Sequence, residues 1–532
     1  MAIQSTAGQS EQLSPEIEAL LTSFETEDIE PENQDSPKIH INMATGTAAL
    51  IYEKIRNTIG YQEEKTLRRL AISRMLARRA VFDKGEKTIA TGLIWELIQS
   101  GYLKNDQVPE EKIAQIENTL RQFSALGKFL PPAWSEYFFG IVGCQVETIL
   151  TDYNSDEALV MAFHSLILRQ FYQDKEPAEH EKISELLYYS LVQLFFKLDK
   201  PALRHYALRY KIPDWESLTS AQILDMKNRL IKEIQQIEDN LKILPESRFP
   251  KISKRYYPIY MVLQKIIHKD PSQLREIITN KQKLAASIKQ IASEYFTDTL
   301  AKLNRSILKA VLFIFTTKVI LGLIFEIPYD RYYHGHISYV PLLINIIFPP
   351  LLMYLSVSMI SVPGANNARK IITIAKKFIY NEKLDENEKQ KYGYILTRSK
   401  TLQTLLNTYY ALTFIMTLIG VIWLLRVLKF NLISGILFFL FLSIVSFLAF
   451  RIRRSATDLV VVEERENTFV TILDFLLLPF LKIGFWLSKK FEKANILVLI
   501  FDFILEAPFK TILEAIEHWI AFVREKKEEI VS

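Results

Sequence analysis

The chain has 532 residues, 49% of them apolar, with 65 Lys and Arg against 60 Asp and Glu. That length allows roughly two to four compact units, and half-apolar composition excludes a disordered chain. A single cysteine, Cys144, excludes an internal disulfide and the Cys₄ or Cys₂His₂ type of metal site.

Residues 1–40 hold nine acids and one base, Lys38, among scattered Ser, Gln and Pro. Such a segment buries too little apolar surface to offset its ordering entropy, so a disordered acidic tail is expected. The opening MAIQSTAGQS has neither the basic nor the apolar stretch of a signal peptide, so export of the N-terminus is not expected.

From 41 to 218 helical periodicity dominates, with helices expected near 48–82, 86–103, 109–126, 132–151, 156–172 and 177–199. In Lys65–Lys87 the arginines interleave with Leu67, Leu70, Ile72, Met75 and Leu76 around most of the wheel. A membrane-surface helix would segregate them, so a helix packed on several sides is expected, its arginines paired with acids such as Glu64 to Arg68.

Residues 219–306 read as a coiled-coil-like hairpin or stalk. Thr219 and Gln222 have capping-box spacing, and Asp270-Pro271 reads as a helix start. Ile223, Met226, Leu230, Ile234, Ile237, Leu241 and Leu244 step by threes and fours, as do Leu274, Ile277, Leu284, Ile288, Ile291 and Tyr295, with Lys281 at one apolar position. The same stripes also suit an ordinary bundle. Between them lie Lys251, Lys254, Arg255, Lys265 and Lys269, interleaved with Tyr256, Tyr257 and Tyr260. Bases among tyrosines bind nucleic acid or anionic lipid. A long following helix would hold them away from the bilayer, which favours a soluble anionic or protein partner; the plain alternative is a solvated basic loop.

After residue 300 the composition changes. Apolar runs at 307–327, 337–362, 409–425 and 432–450 each reach the ~17–25 residues a membrane span requires, and the last carries no charge. The 363–408 segment holds nine bases against four acids, Arg451, Arg453 and Arg454 follow the fourth run, and Lys302 and Arg305 precede the first. Loop charge of this kind predicts both termini in the cytosol, in a cytoplasmic (cell) membrane.

Lys318 lies near the middle of the first run, where a charge costs ~2.5–3.5 kcal/mol on insertion scales. Glu326, eight residues on, lies ~12 Å along an ideal helix, which makes Asp474 the better candidate partner. Asn345 and Asp502 complete the set of polar residues at membrane depth. Two segments, 473–482 and 501–510, share an apolar-Asp-Phe…Pro-Phe-Lys pattern, which fits interfacial helices or re-entrant half-helices across 455–532.

Signatures of known chemistry are missing: Gly85-Glu86-Lys87-Thr88 lacks the upstream glycine of a phosphate loop, His180-Glu181 lacks a second histidine, and Cys144 sits in an apolar stretch that suggests space-filling. No catalytic residue, metal or cofactor is implied. The expectation is an all-α protein: acidic tail, cytosolic helical domain, stalk, four spans over 307–454 and C-terminal interfacial helices. Its expected role is a non-enzymatic, membrane-anchored interaction or scaffold protein, able to form a homo-oligomer; the alternative is a transporter or channel component using the intramembrane polar residues.

Overall fold

A computed structural model describes residues 13–27, 37–41, 64–82, 89–151, 153–172, 176–269, 273–333, 335–358, 365–380, 400–456, 468–493 and 519. Among these the chain is helical throughout, apart from an isolated antiparallel bridge between Lys38 and Pro109. Four helices are long and apolar enough to cross a membrane.

The acidic N-terminal region is only partly a tail. Pro15–Glu27 forms helix α1, which buries Ile17, Leu20, Leu21 and Phe24 against α6 (Asn154–Tyr172). Its acids reach bases elsewhere: Glu16 binds Arg169 at 2.6 Å and Glu18 binds Arg275 at 2.7 Å. Charge composition hid the i, i+3, i+4, i+7 stripe that anchors the helix.

The first core is built from α2 (Glu64–Phe82), α3 (Ile89–Gln99), α4 (Glu111–Gly127), α5 (Phe138–Leu150), α6, α7 (Pro177–Phe195) and α8 (Lys200–Lys211). Helix α2 packs on α5, and its arginines are paired as expected, though across the fold: Arg68 binds Glu147 at 3.0 Å, Arg69 binds Asp199 at 2.7 Å, and Arg78 and Arg79 share Glu96. The close approach of the two helices depends on Gly143, where a Cβ would meet the Ser73 hydroxyl at 2.2 Å. Cys144 is buried beside it, and burial pushes its thiol up to about 12, an inert sulfur.

The expected stalk is part of this bundle. Helix α9 (Lys227–Ile243) buries Leu230, Ile234 and Ile237 on α7 and α8. The capping box at Thr219 is present, on the short helix Ser220–Asp225 that precedes it. The basic segment forms α10 (Phe249–Lys269), whose apolar face packs on α6 and α7. The second stripe belongs to α11 (Lys281–Leu321), capped by the Asn280 side chain. Its Leu284 and Ile288 are buried where α11 meets α10 and α13 (Ala365–Ile379), so both seams face bundle partners. Lys281, the charge in the second stripe, sits 4.8 Å over the Tyr380 ring.

Helix α11 leaves the first core and continues into the second, formed with α12 (Tyr339–Ser358), α14 (Lys400–Val427), α15 (Leu432–Ala456) and α16 (Thr468–Lys493). Exposed large apolar side chains are concentrated here: Leu308, Leu312, Phe313 and Ile320 on α11, Ile347 and Leu351 on α12, Ile415, Met416 and Ile419 on α14. An apolar surface on this scale is not left to water; it matches lipid. Helix α13, from the segment between the second and third spans, returns to the first core. Phe378 stacks on Phe163 at 4.4 Å, the Tyr380 hydroxyl donates to the Ile278 carbonyl at 2.6 Å, and the Ser14 amide donates to the Ile379 carbonyl at 2.8 Å. Helix α13, which follows α12, therefore lies at the end of the second core nearer the first core.

Two predictions follow from this packing. Phe378→Ala removes a ring sealed between Phe163 and Tyr256, and should destabilise by ~3–5 kcal/mol, read as a lower unfolding temperature in detergent. The second concerns buried histidines. Burial pushes His164 down to about 4, and holds the fully buried His205 well below its usual range. An unfolded histidine takes up its proton near pH 6.5, so between pH 6.5 and 4 the unfolded chain binds more protons. Stability is therefore full above pH 6.5 and falls as pH drops, by ~1.4 kcal/mol per pH unit for each histidine. Denaturant midpoints measured from pH 7 to 5 should show this slope, and His164→Phe should roughly halve it, leaving the His205 contribution.

Candidate functional site

The polar residues of the second core converge on one carboxylate. Glu326 is 2% exposed, and three side chains from three helices donate to it. Lys318 Nζ on α11 lies 3.3 Å from Oε1, Asn345 Nδ2 on α12 donates to the same oxygen at 2.7 Å, and Ser434 Oγ on α15 donates to Oε2 at 3.0 Å. Asn345 Nδ2 also reaches the Ser434 carbonyl at 3.1 Å. Lys318 and Asn345 are wholly buried, and the Lys318 ammonium rests 4.6 Å from the centre of the Phe441 ring.

The partner of Lys318 is thus Glu326, against the expectation from ideal helix geometry. At 3.6 residues per turn, positions eight apart stand about 80° from each other. Residues Gly322–Glu326, however, form a π-helical turn between α11 and the short helix Ile327–Tyr333. A wider turn rotates less per residue and brings the two side chains back toward one face. The long Lys stem then spans the remaining rise.

Asp474, the expected partner, lies on the backbone of α16, and Asp502 lies outside the described residues. Of the four polar residues singled out in the sequence, Lys318 and Asn345 meet; Glu326 and Ser434 are the members that sequence reasoning missed. Glu326 was visible as a charge ending an apolar run. Ser434 had no signal, since small hydroxyls in spans are common.

A second cluster closes the same end of the bundle. Asp330 accepts from Asn431 Nδ2 at 2.5 Å and from the Ser338 amide at 2.8 Å, while Asn431 Oδ1 accepts from the Ser434 amide at 2.7 Å. It ties the segment between α11 and α12 to the turn between α14 and α15. From Asn431 to Arg451 α15 then rises ~30 Å, the thickness of a hydrocarbon core.

Chemically, the pair is neutral overall, and each Glu326 oxygen has a donor, which is what a charge in low dielectric requires. One acceptor is left over: Asn345 Oδ1 is buried and makes no hydrogen bond among the described residues. Reversing the amide would set its oxygen against Glu326 and the Ser434 carbonyl, so the network fixes its orientation.

The basic candidates do not form a separate binding patch with the tyrosines. Tyr256, Tyr257 and Tyr260 are buried in the first core, whereas Lys251, Lys254 and Lys269 are exposed and Arg255 and Lys265 half-buried. Lys265 lies 5.6 Å over the Tyr295 ring. One helix turns its aromatics inward and its bases outward, so bases and rings alternate in sequence but not in space. A cleft of about 560 Å³ between α4, α5 and α8 is lined by Arg209, Glu157 and Glu216, yet Arg209 binds Glu157 at 2.7 Å and Glu216 at 3.0 Å, so its guanidinium is already engaged by two carboxylates. Comparison with protein-family models, curated proteins and solved structures found no match.

The lock predicts a specific double-mutant pattern. Lys318→Met leaves Glu326 charged and short of a counter-ion, and should cost ~3–5 kcal/mol. Adding Glu326→Gln, which removes the unpaired charge, keeps an acceptor for Asn345 and lets the Ser434 hydroxyl accept from the new amide, should recover most of that loss. Unfolding temperatures of the two single variants and the double variant in detergent measure the coupling; additive losses would show that the pair is not a unit.

Proposed function

We propose that this chain is a multi-pass integral membrane protein whose main work is done by its large helical domain: a non-enzymatic, membrane-anchored interaction or scaffold protein. The observation that carries this reading is the double tie between the two cores. Helix α11 runs from one into the other, and α13 returns from the spans to the first core. A domain held in this way has a fixed height and orientation over the membrane, which is what presenting a surface to a partner requires.

The domain and both termini are placed on the cytosolic side of a cell membrane, on the balance of basic residues at 363–408 and around Arg451. Its partner is a soluble protein or another anionic species, met by the outward bases of α10, Lys251, Lys254 and Lys269. A second copy of the chain is a further partner consistent with the thinly covered span α14.

A second reading, a transporter or channel component, draws on the Lys318–Glu326 pair and the unpartnered Asn345 oxygen. The sealing of Lys318 and Asn345 from solvent favours a structural lock over a pathway lining.

Orientation and role have separate tests. The only native cysteine, Cys144, is buried, so single cysteines introduced at Tyr332 and Lys242 report their own side. In sealed vesicles a membrane-impermeant maleimide should reach one position from outside and the other only after permeabilisation; labelling of both from one side sinks the four-span reading. Cross-linking in intact cells followed by mass spectrometry should recover a stoichiometric soluble partner for the wild type, lost on Lys251→Glu/Lys254→Glu/Lys269→Glu. Solute flux in proteoliposomes abolished by Lys318→Met would favour the second reading.

A further inference from the structure

The antiparallel register of α11 and α15 sets the height of every residue on them. Glu326 meets Ser434 and Lys318 meets Phe441, so Lys309 stands level with Arg451 at the end of the apolar zone nearer the first core. Lys302, Arg305 and Lys309 follow at i, i+3 and i+7 on one face of α11, and all four bases are exposed. No ion pair to a described carboxylate engages any of them; Arg305 Nε donates only to the Ala301 carbonyl at 3.1 Å. The nearest acid on α11, Asp298, lies one turn further from the apolar zone.

At the same height α12, α15 and α16 enclose a groove of about 200 Å³. Leu477, Leu478, Leu481, Ala449 and Phe450 make it apolar, and beside them lies Ser356, whose buried hydroxyl makes no hydrogen bond among the described residues. Phe450 lines the groove and Arg451 is the next residue. The groove keeps its shape because α16 lies close on α15 at Gly484, where a Cβ would meet the Ser443 carbonyl oxygen at 2.2 Å.

We propose that this groove and Arg451 form a site for an anionic glycerophospholipid of the leaflet facing the first core. One acyl chain lies in the groove and the phosphate meets Arg451, with Lys302, Arg305 and Lys309 adding a basic field at headgroup height. A charge without chains leaves the groove unfilled, and chains without net charge leave the bases uncompensated. The site rests on the spanning of a membrane by α11, α12 and α15, and it adds a leaflet-specific ligand to that reading.

Native mass spectrometry of the full chain in detergent, titrated with phosphatidylglycerol and phosphatidylcholine of identical acyl chains, tests the site. Phosphatidylglycerol should bind about tenfold tighter, and Arg451→Gln should remove most of that preference. Leu478→Trp, which fills the groove, should weaken both lipids. Glycerol 3-phosphate, which has the charge alone, should not displace the bound lipid. Equal binding of the two lipids, a preference unchanged in Arg451→Gln, or displacement by glycerol 3-phosphate overturns the proposal. Each variant is compared with wild type at matched unfolding temperature; if Leu478→Trp lowers that temperature, Leu481→Phe replaces it. Alkaline carbonate washing of the source membranes separates the two readings. Release of the chain defeats membrane spanning itself, whereas retention without lipid preference defeats only the lipid site.

Discussion

A carboxylate inside an apolar bundle has to find its hydrogen-bond donors within the protein, and Glu326 takes one from each of three helices. That requirement ties the register of the second core. If α15 slid by one turn relative to α11, Ser434 would leave Glu326 and Phe441 would leave the Lys318 ammonium at once. Apolar packing alone leaves such shifts inexpensive, because lipid chains solvate Leu and Phe about as well as other side chains do. Hydrogen bonds to a buried charge are directional and costly to leave unmade, so they select one register among many with similar apolar contact. The π turn at Gly322–Glu326 belongs to the same constraint, since it brings Glu326 round to face Lys318.

With that register fixed, α11 conveys it to the first core. The helix is continuous over 41 residues, so its two halves share one axis and one rotation. Helix α13 then closes a loop of contacts: it comes from the end of α12, lies along α11, and inserts Phe378 beside Phe163 and Tyr256. A twist or tilt of the spans would strain these ring contacts directly. In the first core Arg68, Arg204 and Lys211 are held by carboxylates from other helices, and Arg69 by Asp199, the N-cap of α8. Such buried pairs contribute little net stability compared with apolar residues, but each is strongly destabilised by a displaced partner.

Much of this organisation could be read in the sequence, and the failures share a cause. Helix positions and the four helices long and apolar enough to cross a membrane followed from apolar period and run length, which are local properties. Pairing is not local. The stripe from Ile223 to Leu244 was correctly seen as a buried face, but nothing in it named α7 and α8 as the surface it meets. Likewise the bases and tyrosines of α10 alternate along the chain, and only the 100° step of a helix separates them into an outer and an inner face. Ile17, Leu20, Leu21 and Phe24 were outvoted by the nine acids around them, because composition averages over faces that folding treats separately. For the polar site, Lys318 and Asn345 stood out as expensive residues at depth; their connection through Glu326 depended on a single π turn that residue spacing assumes away.

The two ends of the spans are built on different physics. At the end away from the first core, charges and amides are satisfied inside the protein: Glu326 by its three donors, Asp330 by Asn431 and the Ser338 amide. At the near end the bases of α11 and α15 point outward, and the helices spread around an apolar groove. Helix α11 leaves the spans at that end, and α13 begins a few residues beyond α12 there. Both connections to the first core therefore start at the end whose bases face outward, opposite the end fixed by the Glu326 network.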